Sequence, residues 1–254
     1  MKTKLSIITA VLICALTLSS CREQEKPSPP VLNTAAEASC ILGETEDMGS
    51  GYIDSFVFFG ESTTYHLKSR GVLSGGSSTK QVLGNKSGTA MLNSETSNIG
   101  VICPKTGETV SISEAVRRLK PEYMLLSFGL NGAVRNVKGG KELFKSNYKK
   151  LTNTILSASP DTKIIIASGY PIAKSMDTSA YNVSPKELNG HIKTLNTWAT
   201  EFAEDEELRY LNVCEALTDS EGYLREELQT GDGHHMTRNA YIIIINYIRT
   251  HGYK

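Results

Sequence analysis

The residues whose types and spacing could do chemistry fall into four short segments. The most informative is Gly231, Asp232, Gly233, His234, His235, Met236, just ahead of a final helical stretch. Asp232 and His235 are three residues apart, so one turn of backbone can bring the carboxylate to one imidazole nitrogen and leave the other facing a hydroxyl. An imidazole held this way can take the proton of an attacking serine, while the carboxylate fixes its tautomer and stabilises the imidazolium. Two other readings stay open: an Asp and a His ahead of a helix are common loop residues, and Asp232, His234 and His235 could ligate a metal. For the metal, no further ligand stands at a regular spacing.

A candidate hydroxyl lies in Phe58, Phe59, Gly60, Glu61, Ser62, Thr63, Thr64, which runs from an apolar strand into a helix. Ser62 then sits at the helix N-terminus among free backbone N–H groups, as a nucleophile or as a simple N-cap. The third segment, Ser127, Phe128, Gly129, Leu130, Asn131, Gly132, also follows an apolar strand. Asn131 there can aim its amide at an oxyanion, or the Asn-Gly pair can be a turn. The fourth and least specific is Ser87, Gly88, Thr89, where Gly88 could offer its N–H to the same oxygen.

These segments need elements to hold them. Ser55 to Phe59, Tyr123 to Phe128, Lys163 to Ala167 and Leu208 to Val213 are short runs of Val, Ile, Leu, Phe and Tyr suited to strands covered on both faces. Helix starts alternate with them: Ser111 with Glu114 spells a capping box, and Ser184, Pro185, Glu187 an N-cap, a first-turn proline and an N3 carboxylate. The second helix stripes Leu188, Ile192, Leu195, Ala199 and Phe202 on one face, with Glu201 and Glu204 to Glu207 towards solvent. A closing, largely buried helix begins near Thr237, carries Ile242 to Ile245 and ends before Gly252. Repeated strand, helix, strand predicts an α/β fold with a parallel sheet and helices on both faces, whose ligands gather at the carboxyl ends of the strands.

The chain of 254 residues has 27 basic and 27 acidic side chains and no basic cluster, which argues against nucleic acid as a partner. Residues 1–20 read as a signal peptide, two lysines and then an uncharged apolar run from Leu5 to Leu18 too short for a comfortable permanent span. The run closes on Leu18, Ser19, Ser20, Cys21, which looks like a bacterial lipobox. Cys21 would then be the lipidated mature N-terminus, anchoring the protein to the outer face of a cell membrane. Residues 21–51, rich in Pro, Glu, Ser and Ala, read as a flexible tether, and residues 52–254 as the folded domain. Beyond Cys21 the mature chain holds Cys40, Cys103 and Cys214, an odd number without a disulfide framework or metal spacing; Cys103 and Cys214 are expected to be buried apolar packing. His66, His191, His251, Trp198, Tyr170 and Pro171 carry no expected role in the chemistry.

Together the four segments resemble the SGNH subgroup of the GDSL esterases and lipases, whose serine, glycine, asparagine and histidine blocks occur in this order. The resemblance spans about Tyr52 to Lys254. It implies a flavodoxin-like three-layer α/β/α sandwich and a serine ester hydrolase without metal or other cofactor. By position it makes Ser62 the nucleophile, Asp232 and His235 its proton relay, and Ser62, Gly88 and Asn131 the oxyanion hole. Two residues depart from the pattern: Glu61 stands where the family has Asp, and Gly132 follows Asn131 where Asp is common. The implied substrates are short acyl or acetyl esters on extracellular carbohydrate or cell-wall polymer, or small-molecule esters. An O-acyltransferase shares the first half-reaction, and an inactive carbohydrate-binding or envelope scaffold of the same fold is the reading from another class.

Overall fold

The computed structural model describes residues 39–254. The proposed signal peptide, Cys21 and the first part of the tether therefore lie outside the described residues. Five strands form a parallel sheet: β1 (Phe56–Gly60), β2 (Val82–Leu83), β5 (Tyr123–Ser127), β6 (Lys163–Ala167) and β7 (Arg209–Leu211), in the order β2-β1-β5-β6-β7. This is the order of a doubly wound, flavodoxin-like sheet. A separate antiparallel hairpin, β3 (Gly100–Ile102) with β4 (Thr109–Ser111), is inserted before the helix that returns the chain to β5.

The alternation of side chains along the strands feeds two apolar layers. Val57, Phe59, Met124, Leu126, Ile164 and Ile166 pack with α3 (Ile112–Leu119), α4 (Ala133–Gly139), α5 (Lys141–Ala158) and α6 (Pro185–Asp205). Phe56, Phe58, Tyr123, Leu125, Ile165 and Ala167 pack on the other side with α1 (Gly49–Asp54), α2 (Ser62–Ser69) and α7 (Arg238–Arg249). Burial on both faces is why these strands read as unbroken apolar runs rather than as alternating ones. The three-layer α/β/α sandwich is the fold expected from the sequence.

The helix starts form at the expected residues, with one difference. Ser184 and Glu187 make both bonds of a capping box. Ser111 accepts the Glu114 N–H, but the Glu114 carboxylate bonds Arg117 and Arg118 instead of closing the box. The α6 acids are not purely solvent-facing either: Glu201, Asp205 and Glu206 pair with Lys141, Lys145 and Lys149 of α5. In α7, Tyr241, Ile244 and Ile248 are buried, whereas Ile242 stays exposed, so the isoleucine run covers only one face.

The folded part begins earlier than expected. Cys40 O accepts the Tyr210 N–H, Leu42 N–H reaches Tyr210 O, and Ile41 bridges β7 in parallel, all within the stretch assigned to the tether. Thr45 and Met48 then bond the end of α7, and Asp47 pairs with Arg249. Leu42, the apolar residue that fastens this segment, is buried against α7 and β7. One buried leucine beside an exposed Ile41 and Met48, in an otherwise polar stretch, gives too weak a pattern to be read as structure.

Candidate active site

Register brings the pieces together. β1 and β5 pair from Phe56↔Tyr123 to Gly60↔Ser127, so the two strands end level and their following loops lie side by side. β2 flanks β1 on the other side, with Phe59 opposite Leu83, and delivers the loop that carries Gly88 and Thr89. Gly60 allows the first turn, because a Cβ there would run into the Ser127 carbonyl. The chain passes through Glu61 as N-cap, and Ser62 becomes the first residue of α2.

The histidine loop is a closed turn. Gln229 and Met236 form an antiparallel bridge, Thr230 N–H donates to His235 O, and Ala173 N–H donates to Gly233 O. Gly233 has φ +81°, and its side of the turn lies hard against Met176, so both backbone and space exclude a side chain. Thr237 caps α7 immediately afterwards.

Across 173 residues of chain, Ser62 Oγ and His235 Nε2 stand 3.2 Å apart. His235 Nδ1 is 2.6 Å from Asp232 Oδ2. Burial pushes the Asp232 carboxyl up, but the N–H groups of His235 and His234 and the His235 ring outweigh it and hold the carboxyl at about 2. An ionised carboxylate can only accept, which places the imidazole proton on Nδ1 and turns the Nε2 lone pair to the serine. Such a chain can draw off a serine proton as the oxygen attacks an electrophile.

Two further imidazoles flank His235. His66, one helical turn beyond Ser62, has its ring centroid 4.7 Å away, and His234 4.0 Å away. Burial first, and the neighbouring His235 second, lower His66 to about 4 and His234 below its ordinary value. Both neighbours are therefore neutral near pH 7 and add no standing positive charge against an imidazolium at His235. The i, i+4 spacing of Ser62 and His66 was the available sequence signal for His66.

Asp232, His234 and His235 hold their ligand atoms within 4.8 Å of one another, close enough for a metal ion to bridge. Asp232 is nonetheless engaged by the His235 ring and by the His234 and His235 N–H groups, while His235 Nε2 faces Ser62. These atoms answer one another rather than a common centre.

The Glu61 carboxyl is buried and accepts the N–H groups of Gly129 (2.9 Å), Leu130 (3.1 Å) and Asn131 (2.9 Å). Burial raises it to about 7 against the pull of those three donors. The extra methylene of Glu over Asp thus spans the distance to the loop after β5 and fixes where Asn131 sits. The Asn131 amide nitrogen donates to Thr89 Oγ1 at 2.8 Å and to Ala90 O at 3.3 Å. Ser62 N–H donates to the same Thr89 oxygen at 3.0 Å.

Gly88 differs from its expected place. Its N–H is spent within its own turn, on Asn85 O at 3.0 Å, with φ +68°. The residue that meets both Ser62 and Asn131 is Thr89, which sequence reasoning passed over because a threonine after a glycine has no distinguishing pattern. The cysteines fall partly as expected: Cys103 is fully buried, whereas Cys214 is part-buried and hydrogen-bonded to Gly169 O.

Residues 58–241 match the GDSL-like lipase/acylhydrolase family. Among solved structures, a protein of the G-D-S-L family from Desulfitobacterium hafniense DCB-2 superposes with a TM-score of 0.52 at 16% identity, over 76% of this chain and 95% of that one. A GDSL-like lipase from Bacteroides thetaiotaomicron VPI-5482 gives 0.42 at 20% identity, over 52% and 62%. An acetylxylan esterase variant from Geobacillus stearothermophilus gives 0.40 at 14% identity, over 56% and 64%. A search of curated proteins returns no match. The family match covers most of the chain and contains Ser62, Gly88 and Asn131 in a fold that brings His235 back to them: this chain belongs to the GDSL-like lipase/acylhydrolase family and is a carboxylic ester hydrolase.

Proposed function

We propose that the protein is a serine esterase that removes short acyl groups, acetyl foremost, from hydroxylated substrates such as extracellular carbohydrate or cell-wall polymer. Ser62 attacks the ester carbonyl as His235 takes its proton, and Asp232 holds the imidazole. Ser62 N–H and the Asn131 amide stabilise the oxyanion. Collapse expels the alcohol with the proton from His235 and leaves an acyl-serine; water, deprotonated by the same histidine, then releases the acid. The observation that carries this reading is the unbroken series of contacts from Ser62 Oγ through His235 to Asp232.

The cleft at Ser62 supports the short acyl group. It is lined by Tyr65, His66, Ser69, Lys86, Ser87, Gly88, Thr89, Asn131, His234 and His235, with no Leu, Ile, Val or Phe among the described residues. A long acyl chain needs an apolar channel to leave water, at about 0.8 kcal/mol per methylene. A second hollow shares Ser87, Thr89 and Asn131 with this cleft and adds Asn85, Asn93, Glu95, Thr96 and Asn98 beside the apolar Ala90, Met91 and Ile99. Amides and a carboxylate suit an alcohol portion rich in hydroxyls. Export and attachment through a lipidated Cys21 complete the proposal and rest on the sequence of residues 1–21 alone.

Aryl esters of rising acyl length test the acyl assignment. The acetyl ester should be turned over best, with kcat/KM falling at least tenfold by the octanoyl ester; a rise with chain length would contradict it.

A further inference from the structure

The two oxyanion donors of the proposed mechanism point at the same atom in the resting enzyme. Thr89 Oγ1 accepts the Ser62 N–H at 3.0 Å and the Asn131 amide at 2.8 Å. The acyl carbon of a tetrahedral intermediate is bonded to Ser62 Oγ, so its oxyanion has to lie beside the N–H of that same residue. That N–H is taken. The Asn131 nitrogen has two hydrogens, and the second goes to the backbone carbonyl of Ala90 at 3.3 Å, which cannot turn away without moving its loop.

Thr89 is the partner that can move. Its backbone is pinned, the N–H donating to Asn85 Oδ1 at 3.2 Å, but its hydroxyl hangs on a side-chain bond free to change rotamer. Among the described residues the hydroxyl's own hydrogen finds only Ala90 O, at 3.5 Å. Gly88, the neighbour expected to supply a donor, has given its N–H to Asn85 O.

We propose that Thr89 is a built-in stopper of the oxyanion hole: its hydroxyl oxygen fills the place of the substrate's carbonyl oxygen and swings out when an ester binds. This rests on the reading of Ser62 and Asn131 given above. The stopper keeps two donors satisfied in the empty site, where unpaired they would carry a desolvation cost. It also sets a binding threshold, since an ester has to replace a tethered hydroxyl rather than a loose water. Thr89 is on this account a positioning residue that acts on KM and contributes nothing to the chemical step.

Thr89→Ala and Thr89→Ser, each checked for an unchanged melting temperature, separate the possibilities with an aryl acetate and with phenylboronic acid, which forms a tetrahedral adduct on an active serine. With Thr89→Ala, KM should fall about five- to tenfold, the worth of roughly one net hydrogen bond, with kcat held within twofold and the boronic acid inhibiting at correspondingly lower concentration. Thr89→Ser, which keeps the oxygen, should behave as wild type. A fall in kcat of tenfold or more in Thr89→Ala, restored by Thr89→Ser, would make the hydroxyl a donor to the oxyanion and overturn the stopper; unchanged constants in both variants would overturn it as well. Labelling of Ser62 by a fluorophosphonate distinguishes these failures from failure of the esterase reading, because an unlabelled wild type and an unlabelled Thr89→Ala would remove both.

Discussion

Single side chains decide this site through what each can donate or accept. Asn131 is held by Glu61 from behind and offers its amide in front. Asn131→Ala should lower kcat on an aryl acetate about a hundredfold or more, the usual worth of one oxyanion donor, with little change in melting temperature. Glu61 carries a second expectation. In the folded chain it titrates at about 7, against an ordinary 4.5, so between those values the native state holds a proton that the unfolded chain has lost. Its contribution to stability is then fullest below about pH 4.5 and declines by roughly 3 kcal/mol as pH rises through about 7. Glu61→Gln abolishes this decline. It also keeps the oxygen that accepts from Gly129 and Asn131 but sets an NH2 against the Leu130 N–H, so activity should drop as the loop shifts. Thermal unfolding of both proteins at pH 4.5 and 8 checks the first point: wild type should lose stability relative to the variant as pH rises.

Residues that announce their chemistry were legible in the sequence, and those that work by geometry were not. Ser62, Asn131, Asp232 and His235 each stand where a strand or loop meets a helix, a position that can be read from apolar runs and caps. The clamp of Glu61 on three N–H groups depends on β1 and β5 ending level, which only the sheet register fixes. Thr89 meets Ser62 and Asn131, and Gly88 spends its N–H within its own turn, through a loop conformation that no residue pattern encodes.

Among the elements, long ones with strong periodicity were recoverable and short ones were not. α6 and α7 have apolar stripes and side-chain caps, whereas α5 opens at Gly140 with no side-chain cap to mark it. β2 has two residues and β3 and β4 three each, too few to show alternation. The segment before α1 is a further case, since its polar composition hides one buried leucine and a set of backbone bonds to β7 and α7. Its contribution is measured by comparing a chain that begins at Ser39 with one that begins at Gly49. Loss of Leu42 burial, about 2 kcal/mol, together with the Asp47–Arg249 pair should lower the melting temperature by several degrees. Equal melting temperatures would mean that the segment only rests on the fold.

For the whole molecule, the doubly wound order sets the carboxyl ends of the neighbouring strands β2, β1 and β5 side by side, and the return of the chain ahead of α7 carries the histidine loop back to them. Separation of 173 residues between Ser62 and His235 is thereby closed by topology rather than by local sequence. The proposed anchor belongs to this scale too. Replacement of Cys21 by Ser should move the protein from the membrane fraction to the soluble fraction and abolish incorporation of a palmitate analogue, while purified activity stays unchanged; unaltered membrane association would remove the anchor from the account.

The most direct test of the esterase is the covalent fate of Ser62. Intact-mass and peptide analysis after treatment with a fluorophosphonate should show one adduct, on Ser62, with parallel loss of aryl acetate hydrolysis, and neither adduct nor hydrolysis in Ser62→Ala. Hydrolysis by Ser62→Ala at the wild-type rate, or a folded wild-type protein that takes up no label, would contradict it.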